Sequence, residues 1–436
     1  MTEQQSASRA GRDGKRDAIV GILTGELNEG VNGNASHTQT STYPIALCHL
    51  RDQRRIEPTQ FNRVGPQREP RVLASPRYDR RLDEQEVAMS QGDGMRVIVV
   101  GAGIVGASIA YHLARKGARV TVVEAGEIAS GVTGRSFAWI NTCAAGPEAI
   151  APLRNAAIDD YRRLERELPD LTVRWTGSLC YAQPSLAEPD ASSTVVVSRQ
   201  RIRDLEPNLR HPPEQAMHAP QEGALDAVAA THALIAGAKA HGATVLTQTQ
   251  VLGMRFDRDT LSGVNTSQGP LAADRVVLAA GTGCAALAGA LGVPLAIGPS
   301  PALFIRYRAR PGLVRGIISN AAMEVRQGAQ GWLLAAEDYL GDGPEHQPEV
   351  VARRTAEAIC GELEGVGTLE LATACVGWRP MPKDGIPLIG HVPGVSGVYL
   401  CVMHPGVTLA AVVGRLVSEE IVDGKTHTHL VPCRPM

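Results

Sequence analysis

The stretch Val97–Gly106, VIVVGAGIVG, constrains the fold more than any other ten residues. Four β-branched residues in a row read as a strand buried on both faces, the pattern of a parallel sheet. Gly101-x-Gly103-x-x-Gly106 follows at once. The next stretch, GIVGASIAYHLARKG, sets Gly106, Ala110, Leu113 and Gly117 along one helical face, and ARVTVVEA is a second strand. Strand, glycine turn, helix and strand make one βαβ unit.

Each glycine has a physical task. Gly101 permits the tight turn, Gly103 lets backbone approach a pyrophosphate, and Gly106 lets the helix pack closely on the strand. The helix start offers N–H groups and a positive dipole end to phosphates. Glu124 stands 18 residues after Gly106, at the end of the second strand, where an acid accepts hydrogen bonds from an adenosine ribose. The unit predicts a dinucleotide and does not choose between NAD and FAD.

The chain of 436 residues is long enough for two domains or more. Its net charge of −2 gives no field that favours nucleic acid, and 4% aromatics argue against stacking platforms for single strands. No run of eighteen apolar residues predicts a membrane span, and no apolar core at the N-terminus predicts secretion. The eight cysteines include no C-x-x-C pair and sit mostly in apolar runs. They read as buried, reduced thiols of a cytoplasmic protein, with no disulfide framework and no metal site.

Residues 1–94 differ from the rest. They hold 13 basic and 13 acidic residues, 12 of the basic ones arginine, and lack apolar periodicity beyond pieces such as AIVGIL. This segment is expected to be largely disordered, with a regulatory or targeting arm as the alternative. Met95 opens the first strong strand, which points to the start of the enzyme proper at that residue.

Further along, a helix is expected over about Ala149–Leu168, β-structure over DLTVRWTGSLCYA, and a helix over AVAATHALIAGAKAHG. A strand, glycine turn and helix are expected over RVVLAAGTGCAALAGAL, strands at ALFIRYRAR and GWLLAAE, and a helix near 348–362. The chain ends in another strand, turn and helix. Nucleotide-type pieces at the beginning, middle and end imply an α/β fold: a Rossmann-like domain interrupted by an α+β domain with a mainly antiparallel sheet. The first is expected to take 95–165, 222–289 and 376–436, and the second 166–221 and 290–375.

After Glu124, the loop Ser130, Gly131, Thr133, Gly134, Arg135 and Ser136 can wrap a pyrophosphate or ribityl chain with backbone and hydroxyl donors. The turn at RVVLAAGTG suggests a second contact with an extended cofactor, and taken alone it is equally an ordinary strand–helix connection.

These residues, together with GWRPMPKDGIPLIG and GVYLCVMHPGVTLAAVVGRLVSEEI, resemble the FAD-dependent D-amino-acid oxidase superfamily. The similar branch holds glycine and sarcosine oxidases and small D-amino-acid dehydrogenases. The C-terminal pair carries the resemblance furthest, because it is no part of a generic nucleotide signature. The likeness covers about Val97 to Gly424. It implies FAD, held non-covalently because Cys375 lies two positions from the place where some members attach it. The FAD-binding set it implies is Gly101, Gly103, Ile104, Val105, Gly106, Glu124, Ala125, Ser130, Thr133, Gly134, Arg135, Ser136, Val251, Ala280, Gly281, Gly406, Val407 and Thr408. Val251 would meet the adenine through its backbone, and 406–408 the pyrimidine ring.

Arg379 matches a family arginine that binds the substrate carboxylate, a task suited to a planar guanidinium. His404 is the tempting base in HPGVTLA, with packing or flavin contact as the plainer role. The expected activity is oxidation of the C–N bond of a small amino acid or N-methyl amino acid to an imine, by hydride transfer to flavin N5. Oxygen or another acceptor would take the electrons. An NAD-dependent dehydrogenase and a flavin-binding redox sensor are the rivals. Substrate side chain, handedness and assembly into a homo-oligomer stay open. N-terminal sequencing of the natively expressed protein is expected to begin at Met95; a sequence starting well before it removes that expectation.

Overall fold

The computed structural model describes residues 94–142, 147–182 and 194–436. The expectation for residues 1–94 therefore lies, apart from Gly94, outside the described residues, as do Cys48 and Cys143.

Five parallel strands build the first sheet: Arg96–Val100, Arg119–Val123, Thr244–Leu246, Arg275–Leu278 and Val398–Val402. Leu388–His391 adds an antiparallel edge. Arg96–Val100 is central, flanked by Arg119–Val123 and Arg275–Leu278. Both faces are covered, which is why its sequence is continuously apolar rather than alternating. Val97, Val99, Val120 and Val122 pack under the helices Ile104–Arg115, Ala151–Glu167, Ala227–Ala240 and Gly406–Asp423. Ile98, Val100, Val276 and Leu278 face a meander of Val251–Asp257, Thr260–Thr266 and Gly269–Ala272. The helical layer is tied laterally by Arg415, which grips Asp160 with two 2.8 Å bonds. Burial pushes the Asp160 carboxyl up, but Arg415 and Arg163 together hold it below the usual range.

The second sheet has eight strands and one parallel pairing, between Ile317–Ser319 and Ser178–Cys180. Helix Pro348–Glu362 covers one face, closing over Ile305, Tyr307, Val325 and Leu333. The opposite face turns toward the first layer. Pairing sets Ser319, Glu324, Ala336, Phe304 and Cys375 in one row across that face.

The strand Glu370–Pro382 corrects the expected boundary. It pairs with Ile297–Arg308 from Ile297 opposite Pro382 to Arg308 opposite Glu370. The second sheet thus runs past residue 375, and GWRPMP belongs to it. Gly377, Pro380 and Pro382 read as turn material in the sequence. They are tolerated because this strand is the sheet's edge, where half its N–H groups have no ladder partner to lose.

Burial meets the expectation for Cys180, Cys284, Cys401 and Cys433, while Cys375 is half-buried and Cys360 is exposed on its helix. Among the described residues no helix is long and apolar enough to cross a membrane.

Two buried charges join the layers. Arg326, 5% exposed, donates from Nε to the Phe137 carbonyl (2.7 Å) and from Nη2 to the Leu225 carbonyl (2.9 Å). Burial lowers its pKa to about 10. Glu222 accepts from Trp139 Nε1 (2.8 Å), Ser178 Oγ (2.7 Å) and the backbone and hydroxyl of Thr142. Removing Arg326 strands two buried carbonyls, so Arg326→Leu is expected to lower the unfolding free energy by about 3 kcal/mol. Urea unfolding checks this; an unchanged midpoint means that the arginine is dispensable.

Candidate active site

A continuous cavity of about 1070 Å³ lies between the two sheets. Its first end is the glycine turn. Gly101 has φ +106°, and a Cβ there would lie 2.6 Å from the Ala279 carbonyl oxygen. A Cβ on Gly106 would lie 2.0 Å from the Gly101 carbonyl oxygen, so the third glycine is demanded by contact with the first. Gly101, Gly103, Ile104 and Val105 line the cavity, and Gly106 sits behind them. Helix Ile104–Arg115 starts from Gly103, which has no side chain to cap it; the Ile104 N–H donates to Thr133 Oγ1 (3.1 Å).

Glu124 forms the adjoining wall with Ala125. One oxygen accepts from the Ala102 N–H (2.7 Å) and the other from the Gly126 N–H (2.8 Å). These bonds fix the carboxylate and leave each oxygen a second lone pair.

The loop contributes Ser130, Thr133, Arg135 and Ser136. Gly134 does not reach the cavity; its missing Cβ accommodates the Ala129 carbonyl oxygen, 2.7 Å from where that Cβ would be. Thr133 spends its hydroxyl on the helix start, and Ser136 Oγ accepts from the Ala138 N–H (3.1 Å), so both brace the loop. Val251, Ala280 and Gly281 line the cavity beyond the sheet ends.

The other end gathers Arg379, His404, Gly406, Val407 and Thr408. Arg379 projects from the edge strand, its Nη2 donating to Ser300 Oγ (2.9 Å) and the Pro301 carbonyl (3.3 Å), its Nε to the Ser300 carbonyl (3.3 Å). Nη1 carries two further donors. Helix Gly406–Asp423 begins at this end with no side-chain cap from Pro405. Its start is fastened by Thr408, whose hydroxyl donates to the Trp139 carbonyl (3.1 Å) and accepts from the Asn141 N–H (3.4 Å). Burial first, then the positive Arg379 and Arg154, push His404 down to about 4. The ring is therefore neutral at ordinary pH.

Three polar residues of this end escaped the sequence reading: Arg154, Ser319 and Glu324. Arg154 donates from Nη1 to Asn141 Oδ1 (3.0 Å), and burial lowers its pKa. It shares a helix face with the buried Ala157, Ile158 and Tyr161, and an arginine on an apolar stripe was the legible signal. Glu324 and Arg326 alternate on one strand face, and nothing local says that this face is turned inward. The Cys375 thiol points at the Phe304 carbonyl (3.7 Å) and is not in the cavity wall.

A glycine turn at a strand end, a fixed acid beside it and uncapped helix starts at both ends of one long cavity define a dinucleotide-dependent oxidoreductase. The FAD dependent oxidoreductase (DAO) family model matches residues 96–420, and the chain belongs to that family. Membership sets aside the NAD-dependent rival. Glycine oxidase of Pseudomonas aeruginosa is 28% identical over 347 residues, 74% of this chain and 94% of the relative. The formaldehyde-forming 4-methylaminobutanoate oxidase of Paenarthrobacter nicotinovorans is 24% identical over 76% of this chain and 44% of its own length. The crystal structure of glycine oxidase from Geobacillus kaustophilus superposes with a TM-score of 0.69 at 22% identity, covering 78% of this chain and 99% of that one.

The residues present suit FAD: the cavity is elongated, Glu124 stands where a ribose would lie, and the glycine cradle at 101–106 has no room for side chains. A methyl at Gly106 would strike backbone, which cannot swing away. Gly106→Ala is expected to cost about 1–3 kcal/mol and to lower flavin content on purification. Gly289→Ala, whose Cβ meets nothing within 4 Å, is expected to keep full flavin. Equal flavin in both variants would show that the close approach is unimportant.

Proposed function

We propose that the protein oxidises the C–N bond of a small amino acid or N-methyl amino acid to an imine, which water then hydrolyses to a carbonyl compound and an amine. The observation that carries this reading is Arg379, a half-buried arginine anchored by Ser300 and Pro301 at the cavity end where helix Gly406–Asp423 begins. Bound FAD, held non-covalently, supplies the acceptor for a hydride leaving carbon. Arg379 holds the substrate carboxylate and so fixes which C–H faces the cofactor. The start of the helix, through the backbone of Gly406, Val407 and Thr408, offers positive potential to developing negative charge. At the other end the backbone of 101–106 and the loop at 130–136 hold the pyrophosphate, and Glu124 the ribose.

The names of the relatives agree with this scope: one acts on glycine, another on an N-methylated amino acid. His404, neutral and buried, is assigned to contact with substrate or flavin rather than to proton abstraction. A pKa near 4 makes it a weak base, and it stays uncharged through the neutral range. Reoxidation by oxygen or by another acceptor fits the site equally.

The test is anaerobic mixing of the yellow protein with a panel of amino acids and N-methyl amino acids. At least one is expected to bleach the flavin. Arg379→Ala is expected to cut kcat/KM for carboxylated amines by about 100-fold or more, with much smaller loss for amines lacking a carboxylate. Absence of bleaching, or a variant equal to wild type on carboxylated amines, overturns the proposal. His404→Asn is expected to leave the shape of the pH–rate profile unchanged between about pH 6 and 9, because the ring does not titrate there.

A further inference from the structure

We propose that Glu324 receives a cationic nitrogen of the substrate, so that the site selects molecules bearing a positive charge apart from the carboxylate held by Arg379. The inference rests on the proposed carboxylate role of Arg379 and adds the opposite pole of the site.

Glu324 opens the strand Glu324–Gln327, on the face of the second sheet that closes the cavity, and it lines the cavity wall together with Arg379 and His404. Its hydrogen bonding is poor for a half-buried carboxyl: among the described residues it has one long bond, from Ser319 Oγ to Oε2 (3.3 Å), and no ion-pair partner. Its neighbour Arg326 on the same strand face is committed to the Phe137 and Leu225 carbonyls. Arg379 acts on Glu324 electrostatically without bonding to it. Three strand spacings separate their backbones, about 14 Å in all, and two long side chains shorten that to a gap of molecular size. A carboxylate in such a wall costs free energy unless a cation meets it.

The charged surroundings set a pH dependence. Burial raises the Glu324 carboxyl to about 7, Glu337 and Asp338 on the adjacent strand raise it further, and Ser319 and Arg379 oppose them. Arg154 and neutral His404 occupy the facing wall. Glu324 is thus charged above about pH 7 and neutral below. Preference for a cation rises with pH through that point.

Trimethylglycine and 3,3-dimethylbutanoate test this directly. They share shape and carboxylate and differ by one positive charge. Neither has the nitrogen lone pair that oxidation requires, so binding is read free of turnover. Each is titrated into the flavin-loaded protein, with the flavin absorbance change reporting occupancy. At about pH 8.5 the cation is expected to bind about ten-fold tighter than its neutral twin, an advantage that shrinks to about two-fold by about pH 5.5. Glu324→Gln is expected to remove the preference at both pH values while keeping flavin and the affinity for 3,3-dimethylbutanoate. Glu324→Asp is expected to retain a preference.

An affinity ratio near one in the wild type at high pH, a ratio preserved in Glu324→Gln, or no binding of either ligand overturns the inference. Loss of flavin in the glutamine variant shifts the decision to the wild-type pH series and the aspartate variant, which suffice. A charge preference without flavin bleaching by any amine would overturn the oxidation reading alone. Bleaching without a charge preference would overturn the role of Glu324 alone.

Discussion

The contact of Gly106 with the Gly101 carbonyl holds up everything at the cofactor end. It lets helix Ile104–Arg115 start directly against the end of the central strand, with backbone rather than side chains at the cavity. The central strand can be placed so because both its faces are covered, one by helices and one by the meander. Glu124 then takes its position from the neighbouring strand, held by two backbone N–H groups of the turns on either side. The acid, the turn and the helix start form one rigid unit.

The other end of the cavity depends on the second sheet lying against the first layer. Arg326 and Glu222 bind across this junction to carbonyls, a hydroxyl and an indole N–H, all directional partners. Such bonds orient the sheets more narrowly than apolar contact alone. The same sheet face carries Arg379 and Glu324, so the geometry of substrate charge recognition follows from that orientation.

Local patterns revealed the nucleotide end well. Strand, turn, helix and acid stand within one stretch of thirty residues, and sixteen of the eighteen residues expected at FAD do line the cavity. Gly106 and Gly134 lie behind the wall instead, because their value is the absence of a Cβ where backbone packs. The substrate end was only half legible. Arg379 was found through its motif, but the motif looked like a turn and proved to be an edge strand. Arg154 was hidden in an arginine-rich helix, and Glu324 in a short strand whose inner face is chosen by distant pairing.

The sequence alone determined the α/β class, the βαβ nucleotide unit, the helices and the family, because each rests on contacts within some thirty residues or on a local motif. Only the tertiary structure decided which sheet Arg379 belongs to, which face of Glu324–Gln327 looks into the cavity, and that Arg154 and His404 share its far end. Those placements depend on pairings between strands well over a hundred residues apart, from Ser178–Cys180 to Glu370–Pro382, and on the docking of one sheet against another layer. No local pattern of residue types encodes them.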